Sequence, residues 1–231
     1  MPQSLVVLLM AYIIVIPDIT FYNGEIYPVT GIGHWAFHDC PNITSVSIPS
    51  SVKEICHFAF ENCIGLTEIS IPESVTEIWR GTFMGCEGLN KVEFASIEQM
   101  CSITYCPEVD ENIKELQNQL QFYPNSNPLY MAKHLWIDGQ EVTDLVIPEG
   151  ITSIGNLAFA GGAFTSVTIP ESVTSIGHSA FQRCKDLTSL TIPDGVTTIG
   201  ANAFKDCTGL TSITIPGSVT SIEKYAFKGC I

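Results

Sequence analysis

The sequence predicts a repeat solenoid, mainly β with short helical turns, in which similar coils stack on one another. Three observations carry this. An Ile-Pro pair recurs at Ile48-Pro49 and Ile71-Pro72, then at Ile147-Pro148, Ile169-Pro170, Ile192-Pro193 and Ile215-Pro216, stepping by 23 residues, once by 22, within each run. A small residue followed by Phe recurs in register at Ala36-Phe37, Ala59-Phe60, Thr82-Phe83, Ala158-Phe159, Ala180-Phe181, Ala203-Phe204 and Ala226-Phe227. A cysteine stands three residues after that Phe at Cys40, Cys63, Cys86, Cys184, Cys207 and Cys230, with Gly162 in its place once. A fixed period of this length marks a repeat architecture.

The physics of one unit is legible between Leu187 and Lys205. Leu190 and Ile192 alternate with Ser189 and Thr191, a period of two that gives a strand with one buried face. Pro193 ends the strand, because it offers no N–H to a ladder. Val196 and Ile199 turn a second apolar pair inward before Gly200. Ala203-Phe204 is predicted to form a short helical or 3₁₀ turn, with Ala permitting close approach and Phe filling the interior. Cys207 and Leu210 close the coil. A lone unit cannot bury these side chains, whereas stacked units can. Equivalent strands are then parallel neighbours about 4.8 Å apart.

N-terminal repeats occupy residues 1–94. Leu5 to Ile16 is an apolar run of twelve residues, too short to span a bilayer. It suits the apolar region of a signal peptide, yet no Lys or Arg precedes it and no small-x-small cleavage site follows. It also fits the template as a degenerate first coil, with Leu5, Leu8, Ala11, Ile14, Ile16 and Pro17 on the Phe, Cys, Leu, Ile, Ile and Pro positions. Both readings of residues 1–16 stand at this point. From Pro17 to Pro49 the chain advances 32 residues, nine more than one repeat. The excess, at about residues 18–30, contains Phe21-Tyr22-Asn23-Gly24-Glu25-Ile26-Tyr27, and Asn-Gly between alternating apolar residues predicts a β-hairpin insertion.

The template lapses over residues 95–141. Asp110 to Gln121 is amphipathic, with Ile113, Leu116 and Leu120 on one face and Asp110 as a candidate N-cap. Pro124 to Pro128 is a polar loop. Leu135 to Val142 reads as a second hairpin with Asp138-Gly139 at its turn. Regular repeats resume over 142–231. Both runs use one template, so the expectation is a single solenoid over 1–231 interrupted by one irregular, helix-containing insertion. The last coil shows no polar cap, which predicts a C-terminal run truncated from a longer chain.

Composition narrows the function. Of 231 residues, 45% are hydrophobic and 15% charged, so a packed core is available and disorder is not indicated. The net charge of −14 repels phosphate backbones and argues against nucleic acid as a partner. Only ten Lys and Arg occur, the first at Lys53, and no basic stripe for anionic lipid is visible along the chain. No segment is long and apolar enough to span a membrane. Walker, G-x-G-x-x-G, G-x-S-x-G and H-E-x-x-H motifs are missing, and no carboxylate pair is singled out by spacing. No catalytic residue, metal ligand or cofactor is assigned.

Cysteine is the residue type that most invites a chemical reading. Equivalent Cα atoms on neighbouring coils fall nominally within disulfide range, but side chains stacked in one direction do not meet at the required dihedral. The six ladder cysteines are therefore expected as free, buried thiols acting as small hydrophobes. Cys56, Cys101 and Cys106 lie outside the ladder, and Cys101–Cys106 remains open as a bridge. His34, His38 and Cys40 form H-x-x-x-H-x-C, but zinc would need a fourth ligand and the repeat already accounts for Cys40. Cys56-His57 is an adjacency in a variable position, which does not make a catalytic dyad.

The combination I-P-x-S-V-T-x-I-G-x-x-A-F-x-x-C resembles the BspA-like leucine-rich repeat proteins. Tyr22-Asn23-Gly24-Glu25-Ile26-Tyr27-Pro28-Val29-Thr30 resembles their opening hairpin, and Asn127-Pro128-Leu129-Tyr130 with Leu135-Trp136-Ile137-Asp138-Gly139 resembles their irregular internal repeat. The resemblance covers nearly the whole chain. It implies a leucine-rich-repeat-type right-handed coil stack. It also implies cell-surface or secreted proteins of bacteria and some protozoa that act in adhesion or bind host and matrix proteins. No catalytic residues come with it, which agrees with a non-enzyme.

Recognition is then expected on exposed strand positions. One outward ladder runs Ser45, Glu68, Lys91, then Asp144, Ser166, Ser189, Ser212; the other runs Ser47, Ser70, Glu93, then Val146, Thr168, Thr191, Thr214. The C-terminal run is nearly uniform Ser and Thr, which good β-forming propensity alone explains. The N-terminal run varies. Tyr123, Tyr130 and Trp136 are aromatic anchors of the kind that dominate interfaces, though Trp136 reads rather as packing. The candidate partner surface is Ser45, Glu68, Lys91, Glu93, Tyr123 and Tyr130. The expected function is a non-catalytic protein-interaction or adhesion module of a cell-surface or secreted protein, with a host or matrix surface protein as partner. The alternative is a structural spacer array in a larger surface protein.

Overall fold

A computed structural model describes residues 12–105 and 126–230. The expected helix Asp110–Gln121, together with Cys106, Tyr123 and Leu5 to Ala11, lies outside the described residues. In chain order, β1 (Tyr12–Val15) precedes a hairpin of β2 (Ile19–Tyr22) and β3 (Glu25–Pro28), then β4 (Gly31–Ile32). Regular coils supply β5 (Ile43–Ser47), β6 (Glu54–Ile55), β7 (Glu68–Ile71), β8 (Glu77–Ile78) and β9 (Lys91–Phe94). The irregular coil holds α1 (Ile97–Ser102), β10 (Thr104–Tyr105), α2 (Leu129–Ala132) and a second hairpin, β11 (Leu135–Ile137) and β12 (Gln140–Val142). Regular coils return as β13 (Asp144–Val146), β14 (Ser153–Ile154), β15 (Ser166–Thr168), β16 (Ser175–Ile176), β17 (Ser189–Thr191), β18 (Thr198–Ile199) and β19 (Ser221–Ile222). Over the described residues the chain is a β-solenoid of about seven turns with little helix.

Each regular coil thus gives a longer strand to one face and a two-residue strand to another. The first face contains a sheet ordered β1-β5-β7-β9-β11-β12 and a separate sheet β13-β15-β17; the second contains β10-β8-β6-β4 and β14-β16-β18-β19. Pairing is parallel and in repeat register, Val46 beside Ile69 and Ile69 beside Val92. β1 joins this ladder, with Ile14 beside Val46. The two antiparallel pairs are the hairpins. Asn23 and Gly24 both have positive φ, 51° and 84°, as the primed two-residue turn of a hairpin requires. The long ladder is not continuous along the chain: β12 runs antiparallel at its edge, so β13 starts a new sheet instead of extending the old one. Ser212 and Thr214 share the sequence pattern of the outward ladders, but their segment is not a strand.

The Ala-Phe turn is not helical. The residues two before and two after each Phe take the left-handed conformation, for example Ser179 (φ 55°) and Arg183 (φ 62°) around Phe181, and Gly81 and Gly85 around Phe83. A helix cannot cross such residues. The alternation turns every second N–H toward the next coil. Ser179, Phe181 and Arg183 donate to the carbonyls of Ala201, Ala203 and Lys205 at 2.9, 2.8 and 2.8 Å. These bonds form a third inter-coil seam beside the two strand ladders. Inside it the rings lie face to face. Phe37, Phe60 and Phe83 stack at centroid spacings of 5.2 and 5.5 Å, and Phe159, Phe181, Phe204 and Phe227 at 5.4, 5.3 and 5.4 Å. Thr82 stands where other coils carry Ala, and its hydroxyl is absorbed by the carbonyls of Trp79 (2.6 Å) and Cys56 (3.2 Å).

The cysteine ladder has more chemistry than a small hydrophobe would. The described thiols are free. The thiols of Cys63, Cys86, Cys184, Cys207 and Cys230 donate to the carbonyl of the Phe one coil earlier, at 3.0–3.3 Å. Phe60, Phe181 and Phe204 each accept a second bond at that oxygen, from the N–H of the Cys in their own coil. Each thiol is thus aimed at a carbonyl rather than at the neighbouring sulfur. Cys63, Cys86, Cys184 and Cys207 are buried, while Cys40 and Cys230 are half-buried, a departure from uniform burial. Gly162 replaces Cys because Phe164 fills the space: a Cβ there would overlap the Phe164 ring, which meets Phe159 edge-on at 6.1 Å.

The irregular coil is held by polar side chains that replace repeat contacts. Ser96 caps α1 by accepting from the Gln99 N–H at 3.0 Å, and the Gln99 amide group donates to the Pro72 carbonyl at 2.7 Å. This Ser-x-x-Gln spacing is a helix-start signal. Ser126 and Asn127 are wholly buried. Ser126 accepts from the Gly81 N–H (3.2 Å), and Asn127 donates to the carbonyls of Leu157 (2.9 Å) and Ala158 (3.0 Å). Cys101, on α1, carries a free buried thiol.

Two outcomes are expected. Phe181→Ala should lower stability by about 3–5 kcal/mol, the usual cost of emptying a packed aromatic site, and a melt within a degree of the parent would show that the ring is not structural. Burial pushes the thiols of Cys63 and Cys86 up to about 11 and about 12. The native state therefore holds protons that the unfolded chain releases near pH ~8.5. This stabilisation is complete below that pH and is lost as pH rises through about 11 to 12. Thermal melts should fall across that alkaline window. In native protein at neutral pH a thiol reagent should label the half-buried Cys40, Cys56 and Cys230 before the buried Cys63, Cys86, Cys184 and Cys207, and denatured, unreduced protein should yield all six ladder thiols.

Candidate functional site

Strand register decides which outward residues meet. Ser45, Glu68 and Lys91 are successive rungs of one ladder, Ser45 beside Glu68 and Glu68 beside Lys91. Ser70, Glu93 and Trp136 are rungs of the next. Side chains two apart on a strand share a face, so both rows project from the same side of the sheet. The β11–β12 hairpin rises at its far edge and carries Asp138 over the same face. Together they line a shallow groove of about 580 Å³ floored by Val46, Ile69 and Ile71.

Glu93 organises this groove. Its carboxylate accepts from the Gly139 N–H at 2.9 Å, accepts from the Ser70 hydroxyl at 3.4 Å and faces the Lys91 ammonium at 3.8 Å. The same ammonium lies 4.8 Å from the centroid of the Trp136 ring. Trp136 is half-buried beneath it, consistent with a packing role. The half-exposed ion pair contributes little to stability, at most about 1 kcal/mol, but with the Gly139 bond it fixes the hairpin against the sheet. Lys91 is thereby engaged, whereas Glu68 is exposed and Asp138 stands at the rim. The groove is acidic in balance.

Of the residues expected to form the partner surface, Ser45, Glu68, Lys91 and Glu93 are brought together. Tyr130 is not among them. It sits on α2, half-buried beside Gly161, and its hydroxyl bonds the Arg183 guanidinium at the turn edge of the C-terminal coils. Tyr123 lies outside the described residues. Two contributors escaped the sequence reading. Asp138 looked like a turn residue only, and Ile13, 72% exposed at the opposite wall, lay in a run readable as a signal peptide. Asn23 to Tyr27 and Phe21 form the first hairpin, exposed on both strands.

The variable positions before each Phe hold a second cluster. His34 stacks on His57 at 5.1 Å, Trp79 meets His57 edge-on at 4.9 Å, and Trp35 stacks on Phe58 at 5.9 Å. His38 is held instead by Asp39 (3.3 Å) and Glu61 (3.1 Å), so His34, His38 and Cys40 do not converge. Burial, then Glu54 and Glu77, push the Cys56 thiol up. Burial, then His34, push the His57 imidazole down. Both shifts oppose a thiolate–imidazolium pair. Among the described residues no group of three His, Cys, Asp or Glu side chains is placed to hold a metal ion, and no helix is long and apolar enough to cross a membrane.

Residues 15–119 and 135–231 match the family profile described as BspA type leucine rich repeat region, in six copies. Among solved structures, the chain is similar to a leucine rich cell surface protein from Faecalibacterium prausnitzii A2-165. The two are 31% identical, with a TM-score of 0.56 over 89% of this chain and 48% of that one. The chain thus spans about half the length of that protein. It also aligns with the T. pallidum leucine rich repeat protein at 24% identity and a TM-score of 0.44, covering 93% of this chain and 73% of that one. No curated protein matches the chain.

Removing the Glu93 carboxylate should loosen the hairpin without unfolding the coils. In Glu93→Ala, amide exchange at Gly139 and along β12 should accelerate, while β15 and β17 keep their protection. Unchanged exchange at Gly139 would mean that the carboxylate does not hold the turn.

Proposed function

We propose, since the chain belongs to the BspA-type leucine-rich repeat family, that it is a non-catalytic protein-interaction module of a cell-surface or secreted protein, with adhesion to a host or matrix protein as its role. The observation that carries the reading is the groove between β1 and the β11–β12 hairpin, where the outward ladders leave their Ser/Thr uniformity and present Glu68, Lys91, Glu93 and Asp138 together. A solenoid face of this kind engages a partner across several coils at once. The acidic balance suits a partner that sets a basic side chain against Glu68 and Asp138, with the exposed Ile13 supplying apolar contact.

The reading treats the two runs of coils as one solenoid. It is supported by an apolar core cluster that includes both runs and by the buried Ser126 and Asn127, which reach Gly81 on one side and Leu157 and Ala158 on the other. The uniform Ser/Thr face of β15 and β17 would serve equally as a spacer, and the test separates the two roles.

The chain, immobilised, is offered extracellular-matrix and serum proteins, and the affinity of each captured protein is measured against two variants. Glu68→Ala with Lys91→Ala and Glu93→Ala should weaken binding by more than about tenfold, roughly 1.4 kcal/mol. Ser189→Ala with Thr191→Ala and Ser212→Ala should leave it near the parent value. The reverse result would place recognition on the Ser/Thr face, and no capture at all would favour the spacer.

A further inference from the structure

Ten Lys and Arg serve a chain of net charge −14, and the fold gathers six of them at the turn edge of the C-terminal coils. Lys133, Arg183 and Lys185 line a cleft of about 420 Å³ beside Tyr130. Lys205, Lys224 and Lys228 line a second cleft, of about 350 Å³, with Ser179, Gln182, Asn202 and Tyr225. The clefts are neighbours on one edge: the Arg183 N–H donates to the Lys205 carbonyl, and the Asp206 N–H to the Lys228 carbonyl. Gln182, Lys205 and Lys228 hold the same position after successive Phe residues, so they recur at the coil rise of about 4.8 Å.

The acids near this edge offset it only in part. Asp186 lines the first cleft. Asp206 lies in the same turn as Lys205. The Glu223 carboxylate is occupied by His178 (3.4 Å) and the Ala201 N–H (3.2 Å).

We propose that this edge binds an anionic polysaccharide, with sulfates or carboxylates against Arg183, Lys205, Lys224 and Lys228 and sugar hydroxyls against Gln182 and Asn202. The lining selects this class. Single-stranded nucleic acid needs open aromatic faces on which bases stack, but the Tyr225 ring is covered by its own cations, Lys224 at 4.7 Å and Lys228 at 5.1 Å, and Tyr130 lies under Arg183 at 5.4 Å. Duplex nucleic acid would carry its phosphates beyond this short edge onto an acidic molecule. The second cleft is lined by amide, hydroxyl and ammonium groups beside one tyrosine, which suits a hydroxyl-rich chain better than a lipid surface or a polypeptide with apolar side chains. The surface is distinct from the groove of the first sheet, so either can fail without the other.

Immobilised heparin, a sulfated polysaccharide, tests the proposal at physiological salt with the full chain. Polyglutamate, an oligothymidylate and phosphatidylserine vesicles are run in parallel. The chain should bind heparin more tightly than any of the three, and its affinity should fall as salt rises. Lys205→Gln with Lys224→Gln and Lys228→Gln should weaken heparin binding by about tenfold or more, the corresponding Arg variant should retain it, and Lys53→Gln should leave it unchanged. If the triple Gln variant melts early, the exposed single changes Lys224→Gln and Lys228→Gln decide, and at least one must weaken binding. Parent-level binding by folded Gln variants, no heparin binding by the parent, or tighter binding to polyglutamate, oligothymidylate or vesicles overturns the proposal.

Discussion

The phenylalanine ring of each regular coil lies flat on the ring of a neighbouring regular coil, and the rest of the coil is shaped by that requirement. Rings spaced 5.2–5.5 Å apart allow backbones to approach at strand-pairing distance only if the residue before each Phe is small. It is buried Ala in most regular coils, and where it is Thr82 the added hydroxyl is bonded twice. The turn that delivers the ring cannot be helical, because a helix would keep its N–H groups for itself. Left-handed residues on both sides send alternate N–H groups across to the next coil. The Cys thiol then bonds the Phe carbonyl from the coil behind. Ring, small residue, left-handed pair and thiol form one device repeated along the stack.

That device also explains how the exceptions are arranged. Where Phe164 enters the core, the Cys position must lose its side chain, and Gly162 results. Where the repeat lapses, the buried Ser126 and Asn127 supply to Gly81, Leu157 and Ala158 hydrogen bonds that a regular coil would supply from its own backbone. Buried backbone groups tolerate little else. The same lapse ends the long sheet. β11 extends the parallel ladder by one strand, β12 reverses at its edge, and the hairpin tip is drawn over the sheet by the Glu93 carboxylate. The groove is therefore a consequence of the insertion, formed where regularity stops.

Charge is distributed by the coil geometry. Residues 23 apart in the chain are neighbours in space, so a sparse set of lysines becomes a cluster wherever it keeps the repeat period. Lys205 and Lys228 keep it and are flanked by Arg183 and Lys224. The N-terminal coils and the β11–β12 hairpin place Glu68, Glu93 and Asp138 about one groove on a different face. An acidic protein thus presents surfaces of opposite sign, and net charge describes neither.

The repeat period, the buried Phe and Cys positions, the strand-then-Pro pattern and both hairpin turns were legible in the sequence, because each rests on local chemistry: alternation, a missing N–H, or residues that tolerate positive φ. The outward ladder of Ser45, Glu68 and Lys91 followed from the period alone. Tertiary structure decided what depends on the neighbouring coil. The turn around Phe181 is left-handed rather than helical because its N–H groups are claimed from outside. The cysteines bond carbonyls that only the stacked coil brings near. Tyr130 joins Arg183 instead of the groove, since α2 turns it toward the other edge, and Asp138 enters the groove through a carboxylate 45 residues earlier in the chain. Sequence patterns report which residues recur; only contact between coils determines which of them meet.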